Sequence, residues 1–350
     1  EFHVNTVYYA SNQMRPSVAH LGSGKFVVVW DSYSQDASYE AIIARIYAAD
    51  GTITVSEITV NTYTSYIQKS PSVAHLGSGK FVVAWMSSHN QDGSDYGVYA
   101  QRYKADGTPE YKADGTTPDE FLVNTHTTLN QVNPSVAALD SGKFVVAWDS
   151  LNQDGGNDGV YAQRYKADGT KEGDEFLVNA HTTNNQNSPS VTGLGPDSFV
   201  IVWQSNNQVS GSSDRDVYAK VYNGAAVVVD EYLVNAATTN EQHEPSVAGL
   251  PNGKFVVTWQ SANQDGSGNG VYSQRYYAAK DPTTLTCYQC DAGLVNVAGD
   301  FPSANALTTC DTCGIANSEA NPQNSSCVCK DGHRLREPVT EVGATYGLVT

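Results

Sequence analysis

The sequence predicts an all-β protein, a five-bladed β-propeller followed by a small disulfide-rich C-terminal module. Three observations predict it: one tryptophan-ending motif occurs five times, its copies are almost evenly spaced, and all six cysteines follow the last copy. The steps between tryptophans are 55, 63, 55 and 56 residues, and the tryptophans are Trp30, Trp85, Trp148, Trp203 and Trp259. Even spacing of this size indicates a repeated supersecondary unit.

The composition changes sharply near residue 280. We therefore expect three parts, a propeller over 1–280, a cysteine-rich module over 281–335 and a tail over 336–350. The strand-like tail is a candidate for pairing with a neighbouring subunit. A chain of 350 residues is long enough for one large domain and one small one.

Each repeat contains four candidate strands. In the third repeat they are PSVAAL (134–139), KFVVAW (143–148), GVYAQRY (159–165) and EFLVN (175–179). The second is apolar on both faces, so we expect both faces to be covered. The third is rich in aromatic and branched residues that favour strands. Four short antiparallel strands in about 55 residues are typical of a propeller blade.

The long step of 63 residues contains a tandem copy. YKADGT occurs at 103–108 and again at 111–116, eight residues later, and 63 less 8 is 55. We expect this insertion in a surface turn, where extra length costs little loop-closure entropy.

The chain begins with EFHVNT (1–6), which matches the fourth strand of a repeat, whereas the fifth repeat has no fourth strand. The sequence therefore predicts that residues 1–6 complete the last blade and close the ring. The alternative is that this strand is donated to a neighbouring molecule.

The stretch from Phe121 to Thr170 resembles the tandem repeats of very large secreted surface proteins of bacteria and protists, and the likeness extends over 1–280. The resemblance implies an extracellular, cell-surface and non-enzymatic protein. The spacing of the cysteines resembles furin-like and growth-factor-receptor-like modules of protist surface proteins.

The chain carries a net charge of −17 and a pI near 4.7, which argues against nucleic acid and anionic membranes as partners. No apolar run approaches the roughly 18 residues of a membrane span. No leader is present at Glu1, so we expect any secreted form to be the mature or trimmed chain.

One rim of the predicted ring is rich in amides. A glutamine stands three residues before the proline of every repeat, and these candidates are Gln13, Gln68, Gln131, Gln186 and Gln242. They could bind a polar ligand such as a glycan. Equally, they could satisfy backbone groups of the loops.

The loops NQDGSD (90–95) and NQDGGND (152–158) provide weak calcium candidates, Asp92, Asp154 and, in the fifth repeat, Asp265. Calcium prefers several oxygen ligands. A plain Asp-Gly turn explains the same letters, so we expect no cofactor unless it is calcium.

No sequence motif of a hydrolase, a zinc enzyme or a phosphate-binding loop is present. Asp31 and Asp149, directly after two tryptophans, could face one funnel, but near-identical blades argue against a single active site. We therefore predict no enzyme, but a structural or adhesive subunit that self-associates into an oligomer or filament. The alternatives are a multivalent lectin-like propeller and a five-bladed glycoside hydrolase.

The cysteines follow the pattern C-x2-C, C-x2-C, C-x-C, and they are Cys287, Cys290, Cys310, Cys313, Cys327 and Cys329. Six cysteines in a short, loop-rich segment favour three disulfides, with zinc as the alternative. Asn324 lies in an N-x-S sequon and is a glycosylation candidate.

Overall fold

A computed structural model describes residues 1–7, 11–36, 39–88, 91–112, 114–209 and 214–278, together with the backbone of 318–320 and 327–329. The chain divides into two compact units, 1–278 and 279–350. In the second, β20 (Ser318–Ala320) pairs with β21 (Cys327–Cys329) in antiparallel fashion. The cysteine side chains, Asn324 and the tail 336–350 lie outside the described residues, so the predictions for them stand as predictions.

The first unit consists of five consecutive antiparallel sheets, one per repeat, as the spacing predicts. Repeat 1 contains β1 (Gln13–Gly22), β2 (Lys25–Tyr33), β3 (Glu40–Tyr47) and β4 (Ile53–Thr59). Repeat 2 contains β5 (Gln68–Gly77), β6 (Lys80–Ser88), β7 (Tyr96–Tyr103) and β8 (Phe121–Leu122). Repeat 3 contains β9 (Gln131–Ala138), β10 (Phe144–Leu151), β11 (Asp158–Tyr165) and β12 (Phe176–Leu177). Repeat 4 contains β13 (Gln186–Gly195), β14 (Ser198–Asn206), β15 (Arg215–Asn223) and β16 (Ala226–Leu233), and repeat 5 contains only β17 (Gln242–Leu250), β18 (Lys254–Ala262) and β19 (Asn269–Tyr277).

The second strand of each repeat is the centre of the core. In β10 the side chains of Phe144, Val145 and Val146 are all fully buried, so both faces of the strand are covered. Phe144 pairs across the sheet with Tyr165, and their rings stack with centroids 4.7 Å apart. Repeats 2 and 4 stack the equivalent rings at 4.9 Å. The shared phenylalanine and tyrosine positions are therefore packing positions.

Neighbouring sheets are joined through their first strands. The backbone N–H of Val136 donates to Ser72 Oγ at 3.0 Å, and that of Val191 donates to Ser135 Oγ at 3.1 Å. The same bond joins repeats 1 and 2 at 3.3 Å, and repeats 4 and 5 at 3.2 Å. First strands therefore lie side by side along the inside of the array. A cavity of about 480 Å³ lies beside them, lined from repeats 1 to 4.

The N-terminal segment lies on repeat 1, and the prediction that it completes the sheet of repeat 5 is wrong. The Phe2 ring contacts the Tyr47 ring with centroids 5.3 Å apart, and the Tyr47 hydroxyl donates to the Val4 carbonyl at 3.1 Å. Tyr103 makes the same bond to Val60 at 3.0 Å. Val4 therefore contacts Tyr47 of repeat 1 in the way that Val60, at the end of the fourth strand of repeat 1, contacts Tyr103 of repeat 2.

The five sheets form an open array, so the expected closed ring is also corrected. Val18 of β1 is 66% exposed, and Val271 of β19 is 81% exposed. In a closed ring both side chains would face a neighbouring sheet. Among the described residues, the sheet of repeat 5 has three strands, and none pairs with the outer edge of β19.

The tandem YKADGT copies form two successive tight turns, as the prediction of a surface insertion requires. Gly107 N bonds to Lys104 O at 3.0 Å in the first, and Gly115 N bonds to Lys112 O at 2.9 Å in the second. Both glycines have positive φ, 82° and 71°, which a side chain would disfavour. The added residues extend outward and leave the sheet of repeat 2 unchanged.

Candidate functional site

One end of the array brings together the start of each first strand, the end of each second strand and the start of each third strand. We call this end the loop rim. In repeat 1, Met14 pairs with Asp31 and Tyr33 pairs with Glu40, which places both carboxyl groups at this rim. The same registers recur in the other repeats.

Residues at three loop-rim positions differ from repeat to repeat, although the scaffold repeats. Before the proline stand Arg15, Ser70, Asn133, Ser188 and Glu244. After the tryptophan stand Asp31, Met86, Asp149, Gln204 and Gln260. At the start of the third strand stand Glu40, Tyr96, Asp158, Arg215 and Asn269. A single active site needs different residues from different repeats, and this rim supplies them.

The residue before the proline has positive φ in every repeat, from 48° at Arg15 to 56° at Ser70 and Ser188. Such backbone is uncommon for residues other than glycine. It creates a bulge that turns the backbone N–H toward the preceding repeat. Ser70 N thereby donates to Asp31 Oδ1 at 3.3 Å, and Glu244 N donates to Gln204 Oε1 at 2.9 Å. The loop rim is thus bonded from repeat to repeat.

Repeat 1 contains a charged group of three residues, Arg15, Asp31 and Glu40, which we call the Arg15 cluster. Arg15 Nη1 lies 2.8 Å from Asp31 Oδ2 and 3.8 Å from Glu40 Oε1. The Asp31 side chain is fully buried, whereas those of Glu40 and Arg15 are 11% and 41% exposed. Two carboxyl groups therefore share one guanidinium, and Arg15 is the most exposed of the three side chains.

Both carboxyl groups of the Arg15 cluster are more basic than usual. Burial raises the pKa of Asp31, and the hydrogen bond and charge of Arg15 oppose this rise. Burial also raises the pKa of Glu40, with the neighbouring Asp31 charge adding to the effect. A raised pKa favours the protonated form of a carboxyl group, which is the form that delivers a proton to a leaving group.

At the position directly after the tryptophan, repeat 3 has the buried Asp149 and repeat 4 the uncharged Gln204. Asp149 is 2% exposed and accepts a hydrogen bond from Asn133 Nδ2 at 2.7 Å. Burial raises its pKa well above the usual range, with the Asn133 bond opposing the rise. Gln204 Nε2 donates to Asn187 Oδ1 at 2.7 Å. Asp149 is therefore a structural acceptor.

The glutamines predicted to line a ligand rim are occupied with their own loops. Gln68, Gln131, Gln186 and Gln242 are fully buried. Each donates through Nε2 to a carbonyl three residues earlier, at 2.8–3.2 Å. Gln13 is half-buried and accepts from Trp30 Nε1 at 2.9 Å. The Nε2 donors of the four buried glutamines are thus engaged by their own loops.

The calcium candidates are also engaged within their loops. Asp92, Asp154 and Asp265 each accept through Oδ1 from the backbone N–H two residues later, at 2.9–3.3 Å. Asp154 Oδ2 also accepts from Asn179 Nδ2 at 3.2 Å. No group of three or more metal-ligating side chains occurs within the described part of the chain. These contacts are those of Asp-Gly turns.

The loop-rim asymmetry was available in the sequence. Aligning the repeats on their tryptophans places Asp31, Met86, Asp149, Gln204 and Gln260 in one column. The same alignment places the five residues before the prolines in one column, whereas the third column needed the strand register, because the loops before the third strands differ in length. Among the described residues, no helix has the length and apolar character to cross a membrane.

No family model and no curated protein matches this chain. Solved structures do match. An α-L-arabinofuranosidase from Lactobacillus brevis is 11% identical, with 75% of this chain and 90% of that one covered at a TM-score of 0.43. An endo-arabinase from Bacteroides thetaiotaomicron is 14% identical, with 77% and 96% covered at 0.43. An α-L-arabinofuranosidase from Fusarium graminearum is 11% identical, with 76% and 93% covered at 0.45.

Two sequence-based predictions are corrected by this comparison. A non-enzymatic structural or adhesive function, and the absence of enzymatic activity, both conflict with structural neighbours whose names are those of glycoside hydrolases. The likeness is one of fold, and the chemistry open to this chain follows from its own side chains.

Proposed function

We propose that this chain acts on carbohydrate as a glycoside hydrolase, with its site at the loop rim. The observation that carries the proposal is the Arg15 cluster, in which Glu40 lies 3.8 Å from the Arg15 guanidinium and beside the buried Asp31, and is the one carboxyl group of the two that is not fully buried. Glycoside hydrolysis needs one protonated carboxyl group and one carboxylate on opposite sides of the scissile bond. The raised pKa of Glu40 suits the first of these roles.

Glu40 is assigned as the proton donor, and Arg15 and Asp31 as positioning residues. Asp31 is closed to solvent, so it acts on Glu40 through its charge rather than touching substrate. Two more carboxyl groups of the loop rim, Asp158 of repeat 3 and Glu244 of repeat 5, are half-buried and exposed, respectively. They are the candidates for the second carboxylate.

A lectin-like function is the second candidate, and the amides of the loop rim favour it. Asn133 is exposed, and Gln260 and Asn187 are partly exposed. Amides and carboxylates can bind sugar hydroxyl groups without cleaving the glycan. The two candidates differ in one measurable outcome, the release of new reducing ends.

The experiment offers the purified full chain a panel of arabinan, arabinoxylan, xylan and β-glucan, and measures both binding and reducing ends. The hydrolase proposal expects release from at least one polymer, lost in Glu40→Gln while binding is retained. Asp174→Asn, an exposed carboxyl group at the opposite end of its sheet, is the matched control and should keep activity.

Binding without release would replace the hydrolase with the lectin candidate. Release that survives in Glu40→Gln would overturn the assignment of Glu40. Neither binding nor release from any polymer would reject both candidates.

A further inference from the structure

Repeat 1 carries two exposed tyrosines at its loop rim. Tyr33, at the end of its second strand, is 40% exposed, and Tyr66, in the connection to repeat 2, is 45% exposed. No other repeat or connection has an aromatic residue at either place. The residues at the place of Tyr33 are Ser88, Leu151, Asn206 and Ala262, and those at the place of Tyr66 are Ser11, Leu129, Asn184 and Asn240.

Both tyrosines flank Glu40, the proton donor proposed above. Tyr33 pairs directly with Glu40 across the sheet, so the two side chains point to the same face. The backbone of Ile67, the residue after Tyr66, forms a bridge with Glu40. Glu40 therefore has a tyrosine on each of these two neighbouring backbone segments.

The face that carries Tyr33 and Glu40 is turned toward repeat 2. Alternate residues of a strand share a face, so Asp31 lies on the side of Tyr33, and Ile42 lies on the side of Glu40. Asp31 accepts a hydrogen bond from Ser70 N of repeat 2 at 3.3 Å, and Ile42 packs in one core cluster with side chains of repeat 2. Tyr33 and Glu40 therefore lie in the cleft between two neighbouring repeats inside the array.

The repeat 2 side of this cleft carries a cation. Lys69 Nζ lies 5.3 Å from the centroid of the Tyr96 ring, and it is close enough for its charge to act on both Asp31 and Glu40. An ammonium group donates hydrogen bonds, and carboxylates accept them. The cleft thus combines aromatic surface with donors and acceptors, which are the groups that line binding sites for small polar ligands.

We infer that Tyr33 and Tyr66 form a stacking site for a pyranose ring beside the bond that Glu40 protonates. The substrate is then a pyranose polymer with equatorial hydroxyl groups, such as xylan or β-glucan, in preference to a furanose polymer such as arabinan. This inference rests on the proposed hydrolase function and names its substrate class.

The preference follows from the shapes of the two kinds of sugar ring. A pyranose ring with equatorial hydroxyl groups presents axial C–H bonds on both faces, which gives it two flat apolar surfaces. The face of an aromatic ring is negative and apolar, so it attracts such C–H bonds and removes apolar area from water. A furanose ring is smaller and puckered, and it covers less of a tyrosine ring.

The test measures binding of the full chain to soluble xylan, mixed-linkage β-glucan and arabinan by affinity electrophoresis. The unchanged chain should bind xylan or β-glucan about 10-fold more tightly than arabinan. Tyr33→Leu and Tyr66→Leu keep an apolar side chain but remove the ring. Each should weaken binding of the pyranose polymer by about 10-fold and leave binding of arabinan unchanged. Tyr33→Phe keeps the ring and should bind like the unchanged chain.

Tyr111→Leu is the matched control. Tyr111 is also 40% exposed, but it lies in the YKADGT insertion, beyond the end of β7 that is opposite the loop rim. Its replacement should leave the binding of every polymer unchanged. Equal or tighter binding of arabinan would overturn the inference, and so would leucine variants of Tyr33 and Tyr66 that bind like the unchanged chain. An equal loss for all polymers, or no binding to any of them, would overturn it as well.

Reducing ends measured on the same samples test the hydrolase proposal separately. A preference for xylan or β-glucan that depends on Tyr33 and Tyr66, without release of reducing ends, would reject hydrolysis and keep the stacking site. Release of reducing ends that is independent of both tyrosines would keep hydrolysis and reject the stacking site.

Discussion

Ser72 and Val136 join two sheets through a single hydrogen bond, in which the Val136 N–H donates to Ser72 Oγ at 3.0 Å. The bond is partly buried and occurs once at each of the four junctions. It ties the first strand of one repeat to the first strand of the next.

Ser72→Ala is expected to lower the free energy of unfolding by about 1–2 kcal/mol, because it leaves a partly buried N–H without an acceptor. Urea denaturation measures the change. Ser246→Ala is the internal control, since the exposed Ser246 of repeat 5 faces no following repeat within the chain. Equal losses in the two variants would contradict this account of the junction.

Asn179 is expected to be one of the most sensitive positions in repeat 3. Its side chain is 3% exposed, accepts from Val160 N at 2.7 Å and donates to His181 O at 2.9 Å. Asn179→Ala leaves both backbone groups without a hydrogen-bond partner and should lower the free energy of unfolding by about 2–4 kcal/mol. Thermal or urea unfolding checks this, with Asn223→Ala, an exposed strand end, expected within about 0.5 kcal/mol of the unchanged chain. A loss of stability at Asn179 no larger than at Asn223 would argue that the bonds of Asn179 to Val160 and His181 do not stabilise the repeat.

Stability should depend on pH through Asp149. Burial raises its pKa in the folded state above the usual value of 3.8, so the folded protein holds this proton more tightly than the unfolded chain. The contribution of Asp149 to stability is therefore full below that usual value and declines as the pH rises toward the folded-state pKa. Asp149→Asn removes this decline and should make the protein more stable than the unchanged chain at neutral pH.

The asparagine is a reasonable replacement, because Gln204 provides a neutral amide at the same repeat position. Urea unfolding of both proteins over acidic to neutral pH gives the two profiles. Parallel profiles would show that Asp149 does not titrate differently on folding.

Arg15 is expected to set the pH range of the proposed hydrolysis. Its charge lowers the pKa of Glu40 and of Asp31, so Arg15→Gln raises both. Activity that needs protonated Glu40 then extends to higher pH, and its basic limb moves upward. The shift should be well under about one pH unit, because Arg15 is 41% exposed and solvent screens its charge.

The measurement is the pH profile of kcat/KM, with Arg15→Lys expected to restore most of the original profile. A merely structural role for Arg15 would lower activity at every pH without moving the limb.

Much of the array could be predicted from the sequence, because the repeat is read directly from Trp30, Trp85, Trp148, Trp203 and Trp259. The double-sided burial of the second strand and the surface turn at Gly115 followed from local pattern. The position of Phe2 did not, because the fourth strands inside the array both pair with their own repeat and contact the tyrosine of the next, whereas EFHVNT contacts Tyr47 and does not pair with β19 among the described residues. Burial of the repeated glutamines was equally hidden, since an amide at a loop can face either solvent or backbone.

The site itself was obscured by the same repetition that revealed the fold. The repeats are recognised by the segments that they share. Arg15 and Glu40 differ from the residues at the same positions of the other repeats, so a comparison of shared segments does not single them out. Strand register was needed to place them together with Asp31.

The bulge before each proline has a further consequence. Ser70 and Glu244 hold the preceding repeat through their main-chain N–H groups, at 3.3 and 2.9 Å, and not through their side chains. The position before the proline can therefore hold arginine, serine, asparagine or glutamate with the same backbone conformation and the same bond to the preceding repeat. The side chain at this position is thus independent of the bond that holds neighbouring repeats together. A duplicated repeat can therefore gain a new reactive side chain there and keep its backbone bond to the preceding repeat.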